Sequence, residues 1–235
     1  SSARTARCTA LAGPRYRLLH PDRGKICHDL AVPKALNSYD RIVFAGDSIT
    51  DCGRLGECSP LGCGYVAELE SFFRDRMPSG WPLLINRGVS GDRTIDLAAR
   101  FDLDVLAQAP TVVVFYIGVN DVWRKFDGHA EAVEAARFKE LLLQMVASLP
   151  PGCTAVLVEP FLDEPKASDP FRLLLNEHQL ALREVSTTTG SKRVDLQTIF
   201  DRERKAGPEL TTDRVHPTQT GHRIIAEAIL EVLTG

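Results

Sequence analysis

Long apolar runs are missing from this 235-residue chain. The longest, Val112–Ile117 (VVVFYI), falls far short of the ~20 residues that a membrane-spanning helix needs, so no span is expected. The opening stretch SSARTARCTALAG carries arginines but no continuous apolar segment of secretory-signal length. An excess of one charge is lacking too. Lys and Arg number 28 against 31 Asp and Glu, a formal net charge of −3, which gives no electrostatic case for nucleic acid or an anionic membrane surface. Cysteine is sparse: six in the whole chain do not make a disulfide scaffold. Cys52, Cys58 and Cys63 lack the tight pairing and the neighbouring histidine of a zinc site, so no metal is expected. They read as small buried or loop thiols, with a Cys58–Cys63 or Cys8–Cys27 bridge open if the protein is exported. The cytoplasm is favoured over export, and a homo-oligomer is open.

What is present is ordinary globular composition, 44% hydrophobic and 25% charged, in a length that suits one decorated α/β domain. From residue 41 onward, short apolar segments alternate with amphipathic ones. Strands are expected at 41–45, 83–86, 111–117, 155–159 and 192–195. Helices are expected at 64–77, 94–106, 129–149, 169–188 and 221–233. This alternation predicts a three-layer α/β/α sandwich around a central, mostly parallel five-stranded sheet in flavodoxin-like order. Residues 1–40 are expected as an N-terminal extension packed on a main domain of residues 41–235.

Polar residues gather after the expected strands: Gly46-Asp47-Ser48, Asn86-Arg87-Gly88, Gly118-Val119-Asn120-Asp121, and Asp213-Arg214-Val215-His216 before the last helix. In a parallel sheet these loops share one edge, so residues far apart in sequence are expected to meet. Alone, Ser48 reads as a helix N-cap. It becomes a nucleophile only beside a base that takes its proton. His216 is the best base among six histidines. It precedes Pro217, which keeps it out of helical geometry, and Asp213 can fold back onto its ring to fix the tautomer. Gly88 and Asn120 offer a backbone N–H and a side-chain amide to an oxyanion, although singly each reads as a turn glycine and a loop cap. Asp47 and Asp121 read as acceptors that hold the loops.

These four blocks resemble those of the SGNH (GDSL-type) hydrolases. The resemblance implies a catalytic triad of Ser48, Asp213 and His216, an oxyanion hole built from Ser48, Gly88 and Asn120, and no cofactor. The strings GDSITDCGR, GCGYV, NRGVSGDRTIDLAAR, IGVNDVWRKFD and EPF are similar to the branch that contains acetylxylan esterases. The expected substrate is therefore a small-molecule or oligosaccharide ester, such as an acetylated xylo-oligosaccharide. Asp47, Trp123, Arg124 and Phe161 are the candidate substrate contacts. A lysophospholipase, a thioesterase or a broad short-chain esterase would carry the same blocks, and a non-catalytic sugar-binding protein is the rival from another class. A metallophosphoesterase lacks enough partner histidines. An α/β-hydrolase elbow fails at Gly88-Val89-Ser90-Gly91-Asp92, which lacks the final glycine.

Overall fold

The computed structural model describes residues 36–129, 131–205, 207 and 209–235. Most of the expected N-terminal extension, with Cys8 and Cys27, lies outside the described residues.

Five strands form one sheet: β1 (Arg41–Gly46), β2 (Leu83–Gly88), β3 (Val112–Tyr116), β4 (Thr154–Val158) and β5 (Lys192–Val194). Their order is β2-β1-β3-β4-β5, and every pairing is parallel. The expected three-layer architecture is therefore observed, and its sheet is parallel throughout. The chain runs from β1 outward to β2, then returns past β1 to β3. That reversal makes the carboxyl ends of β1 and β3 the switch point where α/β sheets bind ligands.

Alternation along the strands divides the core. Ile42, Phe44, Val112 and Val114 face one layer, where Tyr65, Leu69 and Phe73 of α2 (Tyr65–Arg76) and Ile225 and Ile229 of α8 (Gln219–Thr234) meet them. Val43, Ala45, Val113 and Phe115 face the other. There they pack on Leu97 and Phe101 of α3 (Thr94–Asp104), Phe138 and Leu142 of α5 (Ala135–Ala147), and Leu182 and Val185 of α6 (Pro170–Thr189). Central strands apolar on both faces are what two covering layers require. Each such Val, Leu or Phe contributes on the order of 1.5–3 kcal/mol by leaving water.

Three short helices depart from expectation. The stretch read as one helix over 129–149 begins only at Ala135. A separate helix, α4 (Val119–Asp127), follows β3 directly and ends at Gly128, which is left-handed at φ 68°. Gly118 makes this entry possible: its φ of 125° lies where only glycine is at ease, and it turns the chain from strand to helix in one residue. α1 (Ser48–Asp51) is a single turn, and α7 (Leu196–Arg204) follows β5, capped by the Asp195 carboxylate on the Thr198 N–H at 3.1 Å. Of the two bridges left open, Cys58–Cys63 is formed, whereas Cys52 and Cys153 are free thiols. No helix among the described residues is long and apolar enough to cross a membrane.

Candidate active site

The register of the sheet sets the site. Gly46, the last residue of β1, lies opposite Gly88 of β2 and Tyr116 of β3, so the chain leaves all three strands at the same level. Asp47 caps α1, its Oδ1 accepting the Ile49 N–H at 3.0 Å, and Ser48 is thereby the first helical residue above the sheet.

His216 reaches this point from the loop before α8. Its Nε2 lies 2.9 Å from Ser48 Oγ, and its Nδ1 lies 2.6 Å from Asp213 Oδ2. The other oxygen of Asp213 accepts the backbone N–H groups of Val215 at 3.0 Å and His216 at 2.7 Å. One carboxylate therefore shapes the turn and orients the ring it carries. Burial pushes the Asp213 carboxyl up, but the hydrogen bonds from the His216 ring and the two backbone N–H groups outweigh it. Its pKa lies below the usual carboxylate value, so Asp213 is an anion at neutral pH.

Gly88 and Asn120 are the residues expected to receive an oxyanion. Asn120, in the first turn of α4, spends one amide hydrogen on Asp92 O at 3.0 Å and keeps a second. The Gly88 N–H points at Asn86 Oδ1, 2.8 Å away. Glycine is required at 88 for packing as well as access: a Cβ there would stand 2.2 Å from the Asp51 N of α1. Asp121, fully buried, accepts the Thr94 N–H on both oxygens at 3.2 and 3.0 Å and ties α4 to the start of α3, in keeping with its expected loop-holding part. Burial pushes its carboxyl up to about 6, and that of Asp47 up to about 7.

The four candidate substrate contacts divide. Trp123 is half-buried, its ring 5.8 Å from that of His216, and it lines a slot beside Asp213. Asp47, only 1% exposed, is enclosed as the cap of α1 and does not face substrate. Phe161 is 0% exposed and stacks on Phe200, so core packing claims it. Arg124 pairs with Asp127 and donates to Gly91 O at 3.2 Å and Asn120 Oδ1 at 3.4 Å, which makes it a brace for the Asn120 amide.

Two further residues hold the site without having been given a part from sequence. Asn86 donates from Nδ2 to Thr50 O at 2.6 Å and Leu61 O at 2.7 Å while its Oδ1 holds Gly88. Arg100 of α3 donates to Gly46 O at 3.1 Å, Arg87 O at 2.8 Å and the Asp92 carboxylate at 2.7 Å, clamping the ends of β1 and β2 together. Asn86 stands in the same post-strand string as Gly88, which was the available signal. Arg100 announces itself only by an (i, i+4) acidic partner, Asp104. Among the described residues, no group of three or more His, Cys, Asp or Glu side chains could hold a metal ion.

The model of the GDSL-like lipase/acylhydrolase family matches residues 44–224. An acetylxylan esterase of Geobacillus stearothermophilus is 34% identical over 206 residues, covering 83% of this chain and 94% of that protein. Its crystal structure superposes with a TM-score of 0.79, covering 84% of this chain and 95% of the other at 34% identity. An α/β hydrolase enzyme from the metagenome of Lake Arreo, Spain, superposes with a TM-score of 0.78 at 34% identity, covering 83% and 94% of the two chains. With a family model that matches most of the chain and a relative 34% identical over 83% of it, the chain belongs to the GDSL-like lipase/acylhydrolase family and is a carboxylic ester hydrolase.

Proposed function

We propose that the protein is a serine esterase that removes acetyl groups from acetylated sugars through an acyl-enzyme on Ser48. The observation that carries this reading is the unbroken relay from Ser48 Oγ through His216 to Asp213, at 2.9 and 2.6 Å. His216 accepts the Ser48 proton as Oγ attacks the ester carbonyl, and Asp213 steadies the imidazolium that forms. The oxyanion is received by the N–H groups of Ser48 and Gly88 and by the Asn120 amide. Gly88 already donates to a neutral carbonyl oxygen, and a charged acceptor competes well for that N–H because charge-assisted bonds are roughly twice as strong. His216 then protonates the departing alcohol, and water, deprotonated by the same ring, clears the acyl group. No step calls for a cofactor.

An acetylated sugar as substrate is supported by the relatives, which are named for acetylxylan and acetyl-xylooligosaccharide. Aromatic rings beside the triad, the half-exposed Phe126 among them, support it as well. The test is a substrate panel. The protein is expected to hydrolyse phenyl acetate and acetylated xylo-oligosaccharides, to be indifferent to chelator, and to lose activity in Ser48→Ala. Preference for long acyl chains or thioesters would overturn the acetyl-sugar assignment, and activity surviving in Ser48→Ala would overturn the nucleophile.

A further inference from the structure

Between α1 and α2 the chain makes a loop, residues 52–64, with glycine at 53, 56, 62 and 64. So many glycines give the loop much freedom to lose, and it needs anchors to sit in one place. Three lie on the catalytic side. Leu61 O accepts the Asn86 amide at 2.7 Å, and the Cys63 N–H donates to Cys52 O at 2.8 Å. Gly62 sits so close against the nucleophile turn that a Cβ there would stand 2.5 Å from Asp51 O. The fourth anchor is covalent. Cys58 and Cys63, their Cα atoms 5.3 Å apart, close a ring that contains Leu61.

From this ring the expected oxyanion side is two hydrogen bonds away. Asn86 holds Leu61 O and Thr50 O with Nδ2, while its Oδ1 accepts the Gly88 N–H at 2.8 Å. From the same loop, Arg54 Nε donates to Gly88 O. Gly88 is therefore gripped at both its N–H and its carbonyl by groups tied to the loop. Displacing a catalytic donor by about 1 Å is enough to slow a reaction severely, so slack in the loop is felt at the oxyanion. Cys63 is exposed and Cys58 half-buried, and exposed bridges are the ones that thiols reduce most readily.

We propose that the Cys58–Cys63 bridge positions the Gly88 donor, so that a dithiol that opens the bridge lowers turnover and a disulfide that re-forms it restores turnover. This rests on the acyl-enzyme reading above, in which Gly88 receives the oxyanion. Opening balances as follows. A thiolate of the dithiol attacks Cys63 Sγ, the bond between the two cysteine sulfurs breaks, and Cys58 leaves as a thiolate that takes a proton. The second thiolate of the reagent attacks the reagent sulfur now bonded to Cys63. Cys63 is released and protonated in turn, and the reagent closes into a cyclic disulfide. Two electrons and two protons pass from the dithiol to the protein. A small-molecule disulfide such as oxidised glutathione takes them back by two exchanges in the opposite sense.

The experiment measures kcat and KM for phenyl acetate in the protein as isolated, after dithiothreitol, and after oxidised glutathione. Each reagent is removed before the assay, and the state of the bridge is read by alkylation and peptide mass. Opening is expected to lower kcat about five- to twentyfold with KM unchanged. That is short of the roughly 10²–10³ lost with a whole oxyanion donor, because Gly88 is loosened and not removed. Re-forming the bridge is expected to restore kcat. The double variant Cys58→Ser, Cys63→Ser is expected to show the lowered kcat from the start and to ignore dithiothreitol, which excludes the other cysteines as the source. Should that variant not fold, the reversible cycle on the wild type decides alone. A bridge that dithiothreitol leaves closed in the folded protein, a kcat unmoved on opening, or a loss that persists after the bridge re-forms overturns the assignment. Failure of the underlying reading is separate and visible earlier, as phenyl acetate hydrolysis that survives in Ser48→Ala.

Discussion

Arg214 reaches across to Asp169 at 3.0 Å from a backbone held at φ 77°, one residue past the carboxylate that orients the His216 ring. The same guanidinium meets Glu164 at 3.0 Å, and the Arg214 carbonyl accepts the Asp163 N–H at 2.8 Å. A non-glycine residue in the left-handed region costs on the order of 1 kcal/mol or more unless its surroundings hold it. Here the ion pairs on one side and the Asp213 turn on the other do so. Arg214→Ala keeps the strain and loses the pins, so kcat is expected to fall by roughly ten- to a hundredfold as the His216 loop loosens. Arg214→Gly relieves the strain and is expected to retain more thermal stability than Arg214→Ala. Equal kcat in wild type and Arg214→Ala would show that the ion pairs do not position the loop.

The relay itself is separable from the turn that supports it. In Asp213→Asn the side chain keeps an oxygen for the Val215 and His216 N–H groups, so the loop is expected to fold. The amide, however, cannot stabilise an imidazolium as the carboxylate does. Activity is expected to drop by about 10⁴ with little change in Tm. A loss below tenfold would remove Asp213 from the triad.

Much of this site was legible because a parallel sheet delivers its post-strand loops to one edge. Ser48, Gly88, Asn120 and His216 each stand beside a strand end or the last helix, and topology alone brings them together. The supports were harder to read. Arg100 acts on a carbonyl 54 residues away in sequence, and nothing in an amphipathic helix pattern distinguishes a clamp from a solvated arginine. Phe161 and Trp123 look alike as aromatics after strands. Only packing separates the ring stacked on Phe200 from the one beside His216. The helix at 119–127 was hidden because its first turn holds the G-V-N-D string, whose residues otherwise suit a loop, and Gly118 makes its abrupt start possible.

Asn86 offers a test of how much the oxyanion side depends on a single side chain. Its amide satisfies two carbonyls, Thr50 O and Leu61 O, that belong to the nucleophile turn and the loop after it. Asn86→Ala strands both, and a buried polar group left without a partner costs roughly 1–3 kcal/mol. A Tm decrease of about 5–15 °C is expected, with kcat reduced because α1 and Gly88 lose their common tie. An unchanged Tm would mean that water replaces the amide.

Asp47 gives the fold a pH dependence whose sign follows from its burial. Burial raises its pKa from 3.8 to about 7, the neighbouring Asp121 and Asp92 carboxylates adding to the rise against the lowering bond from Ile49 N. The folded protein thus binds a proton that the unfolded chain has released. The stability associated with that proton is complete below 3.8 and is lost as the pH rises through about 7. Within the window the slope is on the order of 1 kcal/mol per pH unit, a few degrees in Tm. Asp47→Asn keeps the oxygen that caps Ile49 but cannot ionise, so its Tm is expected to fall less steeply between pH 4 and pH 7 than that of the wild type. Asp121, raised to about 6, contributes in the same direction in both proteins, so the difference between the two curves belongs to Asp47 and its coupling to Asp121. Parallel Tm curves across that range would mean that Asp47 is ionised in the fold and that the charge is compensated where it stands.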